Sequence, residues 1–144
     1  MSDKPKVIVV CTGNTMRSQM AEGLLRYDLG DKIEVFSAGT HPSHAVHPLT
    51  IAAMQDIGID ISHHKSEGID RYADIHMDLA ITVCDDAHEI CPLFPNANKT
   101  VHQGYPDPVS PLPGMSIEDT FSYIRDRMRV EIREIVEREL NLKQ

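Results

Sequence analysis

A thiol and a guanidinium six positions apart are suited to attack on a tetrahedral oxyanion and to gripping it. Cys11 and Arg17 stand at that spacing in Cys11-Thr12-Gly13-Asn14-Thr15-Met16-Arg17-Ser18. A thiolate is a strong nucleophile, and arginine holds two oxygens of a phosphate-like anion at once. Between them, Gly13 lets backbone approach a ligand closely, and Asn14 tolerates the left-handed conformation of a tight loop. Thr12, Thr15 and Met16 complete the candidate oxyanion loop, and Ser18 offers a hydroxyl to the sulfur. Displacement at such a centre also needs a proton for the departing oxygen. Asp107, in Gly104-Tyr105-Pro106-Asp107-Pro108, is the candidate donor, its backbone restricted by the flanking prolines. On chemistry alone it is equally a turn aspartate.

Two further thiols lie in Cys84-Asp85-Asp86-Ala87-His88-Glu89-Ile90-Cys91-Pro92. Three cysteines are an odd count, which argues against a disulfide framework. A zinc site with His88 would need more ligands than this segment supplies. If residues 84–91 are helical, the ends lie about 10 Å apart, whereas a disulfide needs Cα atoms within about 7 Å. A Cys84–Cys91 bond therefore requires the segment to unwind or loop out.

The elements that would carry these groups alternate strand and helix. Lys6–Val10 is apolar and β-branched and reads as a buried strand. Ser18–Asp28 reads as a helix ended by Gly30, Ile33–Ala38 as a second strand, and Pro48 opens a second helix with Leu49, Ala52, Ala53 and Ile57 on one face. Asp60–Asp74 is polar, a loop with a short helix. Leu79–Val83 and Lys99–His102 read as strands three and four, Pro106, Pro108, Pro111 and Pro113 as a stiff loop, and Ser116–Leu140 as a long final helix striped by Ile117, Phe121, Ile124, Met128, Ile132 and Ile135. This order predicts a doubly wound, four-stranded parallel α/β sheet flanked by helices. Ligands bind such sheets at the carboxyl ends of the strands. Cys11, Cys84 and Asp107 all fall just after predicted strands or on the loops that follow them.

The 144 residues suit one domain, 1–144, with one core. A net charge of −8 argues against a nucleic-acid partner, and an anionic ligand must be drawn by a local positive site. No apolar run of about 18 residues is present, which predicts no membrane span. The N-terminal segment lacks the pattern of a signal peptide, and a cytoplasmic location is the expectation.

The Cys11–Ser18 loop, Gln19-Met20-Ala21-Glu22-Gly23 after it, Ser37-Ala38-Gly39 and the Asp107-Pro108 pair together resemble the low-molecular-weight protein tyrosine phosphatases and their relatives, the thioredoxin-coupled arsenate reductases. The resemblance runs from Val7 to the final helix. It implies the low-molecular-weight phosphatase fold, a monomer and no cofactor. It also implies an oxyanion in the loop (arsenate, phosphate or sulfate), Cys11 as nucleophile, Arg17 as anion ligand and Asp107 as general acid. The phosphatase branch usually carries tyrosines after the Asp-Pro pair, where this chain has Val109 and Ser110. The spacing and flanks of Cys84 and Cys91 are similar to the redox pair of the reductases. By that resemblance a Cys11–Cys84 disulfide forms, is exchanged for Cys84–Cys91, and is reduced by thioredoxin. The alternative is a phosphatase of protein phosphotyrosine or a small phosphoester. Some reductases hold a potassium ion beside the loop. The matching oxygens here are those of Asn14, Glu22, Ser37 and Glu67, the last departing from the usual aspartate.

Overall fold

A computed structural model of the protein describes residues 4–43, 45–85 and 93–142. The first strand, β1, is Lys6–Cys11, one residue longer than predicted. Cys11 thus closes the strand instead of opening the loop. It is followed by α1 (Arg17–Leu29), β2 (Glu34–Gly39), α2 (Pro48–Gln55), a single 3-10 turn at Ile69–Tyr72, β3 (Leu79–Thr82), β4 (Thr100–His102) and α3 (Ile117–Glu139).

The four strands are parallel and ordered β2-β1-β3-β4. The central place of β1 explains its sequence. Val7, Ile8, Val9 and Val10 are all fully buried, because neighbours pair with both edges and both faces are covered. The chain runs outward from β1 to β2 and then returns past β1 to β3. That reversal leaves the carboxyl ends of β1 and β3 side by side, with the Val83 N–H donating to the Val10 carbonyl at 3.1 Å.

The two faces of the sheet are covered unequally. On one face Val7, Val9, Leu79 and Ile81 share a core with Leu24 and Leu25 of α1, Met54 of α2, and Phe121, Ile124, Met128 and Ile132 of α3. On the other face Ile8, Val10 and Ala80 are covered by Met77, Phe94 and the 3-10 turn through Ile69 and Tyr72. The stripe predicted for α3 is the buried one, except that Ile117 is partly exposed and Thr120, Arg125 and Val136 join it. Arg125 is tolerated there because its guanidinium donates to the Ala53 carbonyl at 2.7 Å and tethers α3 to α2.

Helix α2 departs from the sequence reading. Its buried residues are Thr50, Ala53 and Met54, while Ala52 is exposed. The polar Thr50 faces inward because its hydroxyl donates to the Thr15 carbonyl at 3.0 Å. An apolar-periodicity rule passes over such a residue.

Candidate active site

The loop between β1 and α1 is shaped by what happens to its carbonyls. The Thr12 carbonyl accepts from the His41 N–H at 2.9 Å, and the Gly13 carbonyl from the Ser66 hydroxyl at 2.9 Å. The Asn14 carbonyl accepts from Gln19 Nε2 at 3.2 Å, and the Thr15 carbonyl from the His47 N–H at 3.1 Å. In a planar trans peptide the C=O and the following N–H point opposite ways. Four consecutive carbonyls tied outward therefore turn the N–H groups of Gly13, Asn14, Thr15 and Met16 inward. The Asn14 N–H indeed points at Cys11 Sγ, 3.3 Å away. The enclosed cavity, of about 200 Å³, is lined by Cys11, Thr12, Gly13, Asn14, Thr15, Met16, Arg17 and Asp107. Inward N–H groups with a guanidinium at a helix start form a receptor for a tetrahedral anion.

Asn14 holds this shape. Its φ is 53°, and it is fully buried. Its Oδ1 accepts from the Glu67 N–H at 2.7 Å and from Gln19 Nε2 at 3.0 Å. A backbone N–H can only donate, so this contact fixes which way the amide faces. Its Nδ2 then donates to Ser18 Oγ at 2.8 Å and to Ser37 Oγ at 2.9 Å. Ser18 Oγ, accepting from Asn14, has its own proton to give to Cys11 Sγ at 2.9 Å. The sulfur thus receives two donors, Ser18 O–H and Asn14 N–H, the arrangement that suits a thiolate.

Two glycines serve the loop in different ways, Gly13 as the sequence suggests and Gly39 in a role the sequence did not reveal. A Cβ at Gly13 would meet only Thr15 Oγ1 at 3.6 Å, so the protein leaves it room and its value lies in access for a ligand. A Cβ at Gly39, which pairs with Cys11, would lie 2.4 Å from the Thr12 carbonyl oxygen and 3.0 Å from the Asn14 nitrogen. The loop seats directly on Gly39, and no side chain fits there.

Arg17 is buried, and its Nη1 donates to the Tyr105 carbonyl at 2.9 Å. This bond joins the anion loop to the proline loop, two residues before Asp107. Tyr105 is itself held at its far end, where its hydroxyl donates to Glu131 Oε1 at 2.7 Å and the Arg127 guanidinium lies 5.3 Å from its ring. Burial and the Glu131 carboxylate push its phenol far above the usual range, so it stays protonated and keeps that bond. Asp107 accepts from the Val109 N–H at 3.1 Å, closing the turn that presents its carboxyl to the cavity. Cys84 follows β3 at the same sheet edge as Cys11 but does not line the cavity. It is fully buried and disulfide-bonded, whereas Cys11 is a free thiol. Cys91, together with His88, lies outside the described residues.

Residues 6–143 match the low molecular weight phosphotyrosine protein phosphatase family. The chain belongs to that family. Within it, the chain is 42% identical over 132 residues to arsenate reductase 2 of Staphylococcus saprophyticus, covering 92% of this chain and 96% of that one. A solved structure described as an arsenate reductase in the phosphate binding state superposes with a TM-score of 0.78 at 32% identity, covering 93% of this chain and 98% of the other. A thioredoxin-dependent arsenate reductase of Corynebacterium glutamicum has a TM-score of 0.62 at 27% identity, covering 93% of this chain and 63% of its own.

For this member of the phosphatase family, the oxygens matched to a potassium ion do not form an open cation site. Asn14 Oδ1 is taken by two N–H donors. The Ser37 hydroxyl gives its proton to Glu22 Oε1 at 2.5 Å, and Arg26 Nη1 sits on Glu22 Oε2 at 2.5 Å. Glu22, Ser37 and Glu67 do line one cavity, of about 380 Å³, but Arg26, His63, His64 and Lys65 line it too. Among the described residues no cluster of three or more His, Cys, Asp or Glu is suited to a metal. Sequence reasoning missed Gln19, Arg26, His64, Gly39 and Tyr105 as parts of the site. Gln19, Gly39 and Tyr105 stood in segments already singled out, without a role of their own, and Gln19 and Arg26 follow Arg17 by two and nine positions on the helix that the loop enters.

Proposed function

We propose that this protein reduces arsenate to arsenite through a relay of its three cysteines, with thioredoxin as the final reductant. The observation that carries the reading is the pairing of an anion-receiving cavity around a free Cys11 with a second, disulfide-bonded cysteine at the adjacent strand end. Relatives about 40% identical over most of the chain bear the name arsenate reductase, which supports the substrate. The Corynebacterium neighbour supports the reductant.

In this mechanism Arg17 and the inward N–H groups hold arsenate. The Cys11 thiolate attacks arsenic, and Asp107 protonates the oxygen that leaves as water. Cys84 then attacks the Cys11 sulfur. The arsenic–sulfur electron pair departs with arsenic, which leaves as arsenite, and a Cys11–Cys84 disulfide remains. Attack of Cys91 on Cys84 forms Cys84–Cys91 and releases Cys11 as thiolate. The thioredoxin dithiol supplies two electrons to restore both thiols. A free Cys11 beside a disulfide-bonded Cys84 is the state expected once Cys11 has been released.

The same loop favours slow hydrolysis of a phosphoester as a side activity, since water can replace Cys84 as the second attacker. Val109 is 39% exposed where the phosphatase branch has an aromatic residue, so a phosphotyrosine ring gains little contact there. The test is replacement of Cys84 or Cys91 by serine. Steady-state arsenate reduction with thioredoxin should vanish in both variants, while hydrolysis of a small aryl phosphate through Cys11 persists. Reduction that survives either change rejects the relay.

A further inference from the structure

Arg26 lies outside the oxyanion cavity, yet two hydrogen-bonded paths lead from it to Asn14. Along the first, Arg26 Nη1 donates to Glu22 Oε2 at 2.5 Å. Glu22 Oε1 accepts from Ser37 Oγ at 2.5 Å, and Ser37 Oγ accepts from Asn14 Nδ2 at 2.9 Å. Along the second, Arg26 Nη1 lies 3.4 Å from His64 Nε2, and His64 Nδ1 lies 2.9 Å from Gln19 Oε1. Gln19 Nε2 then donates to Asn14 Oδ1 at 3.0 Å. Gln19 Oε1 can only accept, so the imidazole carries its proton on Nδ1, and a neutral ring leaves Nε2 to accept from Arg26. The ring of six side chains closes with every proton accounted for. Arg26 is anchored from outside the ring as well, where its Nη2 donates to the Val35 carbonyl at 2.6 Å.

We propose that Arg26 is a positioning residue that serves as a built-in cation for the Cys11 loop, taking the place a monovalent metal ion would fill beside Glu22. Two consequences follow from the geometry. Glu22 is a carboxylate whose side chain is only 14% exposed, and it needs a positive partner if it is to keep accepting from Ser37. Ser37 in turn receives one N–H of the Asn14 amide and so holds it in place, its facing already fixed by the Glu67 N–H, and Asn14 orients the Ser18 hydroxyl on Cys11 Sγ. Loss of the guanidinium leaves the carboxylate uncompensated at the head of that chain. A half-exposed side chain thereby governs a buried thiol with which it shares no contact.

The experiment reads Cys11 itself and needs no arsenate turnover, so it stands or falls separately from the relay. Iodoacetamide alkylation of Cys11, followed by mass spectrometry at neutral pH, is compared for the wild type, Arg26→Ala and Arg26→Lys. It is run in potassium chloride and in tetramethylammonium chloride at equal ionic strength, which holds screening constant. The wild type should react at one rate in both salts. Arg26→Ala should react about tenfold more slowly in tetramethylammonium, the loss of one charge-assisted hydrogen bond, and should recover in potassium as the ion enters beside Glu22. Arg26→Lys should fall between, keeping the charge and losing the fork. Circular dichroism melting confirms that the variants are folded, as expected for a side chain that is 46% exposed. The proposal is overturned if Arg26→Ala reacts as fast as the wild type or faster, if potassium fails to restore it, or if the wild type itself requires potassium.

Discussion

Chemistry at Cys11 is set by two donors whose own orientation is decided one residue further out. Ser18 accepts from Asn14 and so keeps its own proton for the sulfur when that sulfur is a thiolate, which can only accept, and Asn14 faces that way because the Glu67 N–H claims its oxygen. Replacing Ser18 with alanine removes the hydroxyl bond and leaves the Asn14 N–H. Iodoacetamide should then alkylate Cys11 about tenfold more slowly at neutral pH, the usual worth of a hydrogen bond to a charged group. Gly39 makes a different kind of demand. A methyl group there would stand 2.4 Å from the Thr12 carbonyl oxygen, so the β1–α1 loop must shift outward. Gly39→Ala should weaken phosphate binding, measured by calorimetry, by about tenfold or more, because misplaced N–H groups lose their grip on the anion. Unchanged affinity would mean that the loop can seat without Gly39.

Among the elements, the segment after α2 is the one that sequence reasoning understated. Asp60–Asp74 reads as polar loop, yet Lys65, Ser66 and Glu67 supply backbone and hydroxyl partners that hold the Cys11 loop from behind, and His64 reaches Gln19 on α1. Such contacts join residues some 45 positions or more apart. Local composition carries no trace of them. Strands and helices were legible because burial imposes a pattern: β1 is an unbroken apolar run from Val7 on, and α3 repeats at helical spacing. His64 offers a test at this scale. Burial is the largest influence and holds its pKa below the ordinary histidine value, with Glu22 pulling upward and Arg26, His63 and Asp60 contributing in turn. Between the lowered folded value and the unfolded value near 6.5, the unfolded chain binds a proton that the folded chain refuses. Stability therefore falls as pH drops through that window. Thermal melting from pH 8 to pH 5 should show a smaller acid loss in His64→Gln than in the wild type, and parallel curves would remove His64 from the account.

For the whole molecule, the doubly wound order brings three distant sequence regions to one sheet edge. Cys11 and Cys84 follow neighbouring strands because β1 pairs with β3, and Asp107 arrives because Arg17 holds the Tyr105 carbonyl. The placement of the Cys11 loop, Asp107 and Cys84 at that edge was legible in the sequence, since each follows a predicted strand. Of the ring, Asn14, Glu22 and Ser37 stood together in the sequence as matched oxygens, whereas Arg26, Gln19 and His64 did not, because they are polar residues at ordinary helix and loop positions that only packing unites. In the proposed mechanism, what separates reduction from phosphoester hydrolysis is the fate of the Cys11 adduct, which a second thiol or a water molecule removes. The most direct measurement reduces all three thiols, adds one equivalent of arsenate without thioredoxin, traps free thiols at once and maps the disulfides by mass spectrometry. The account predicts one equivalent of arsenite, a Cys84–Cys91 disulfide and a free Cys11; three free thiols with arsenate unchanged would contradict it.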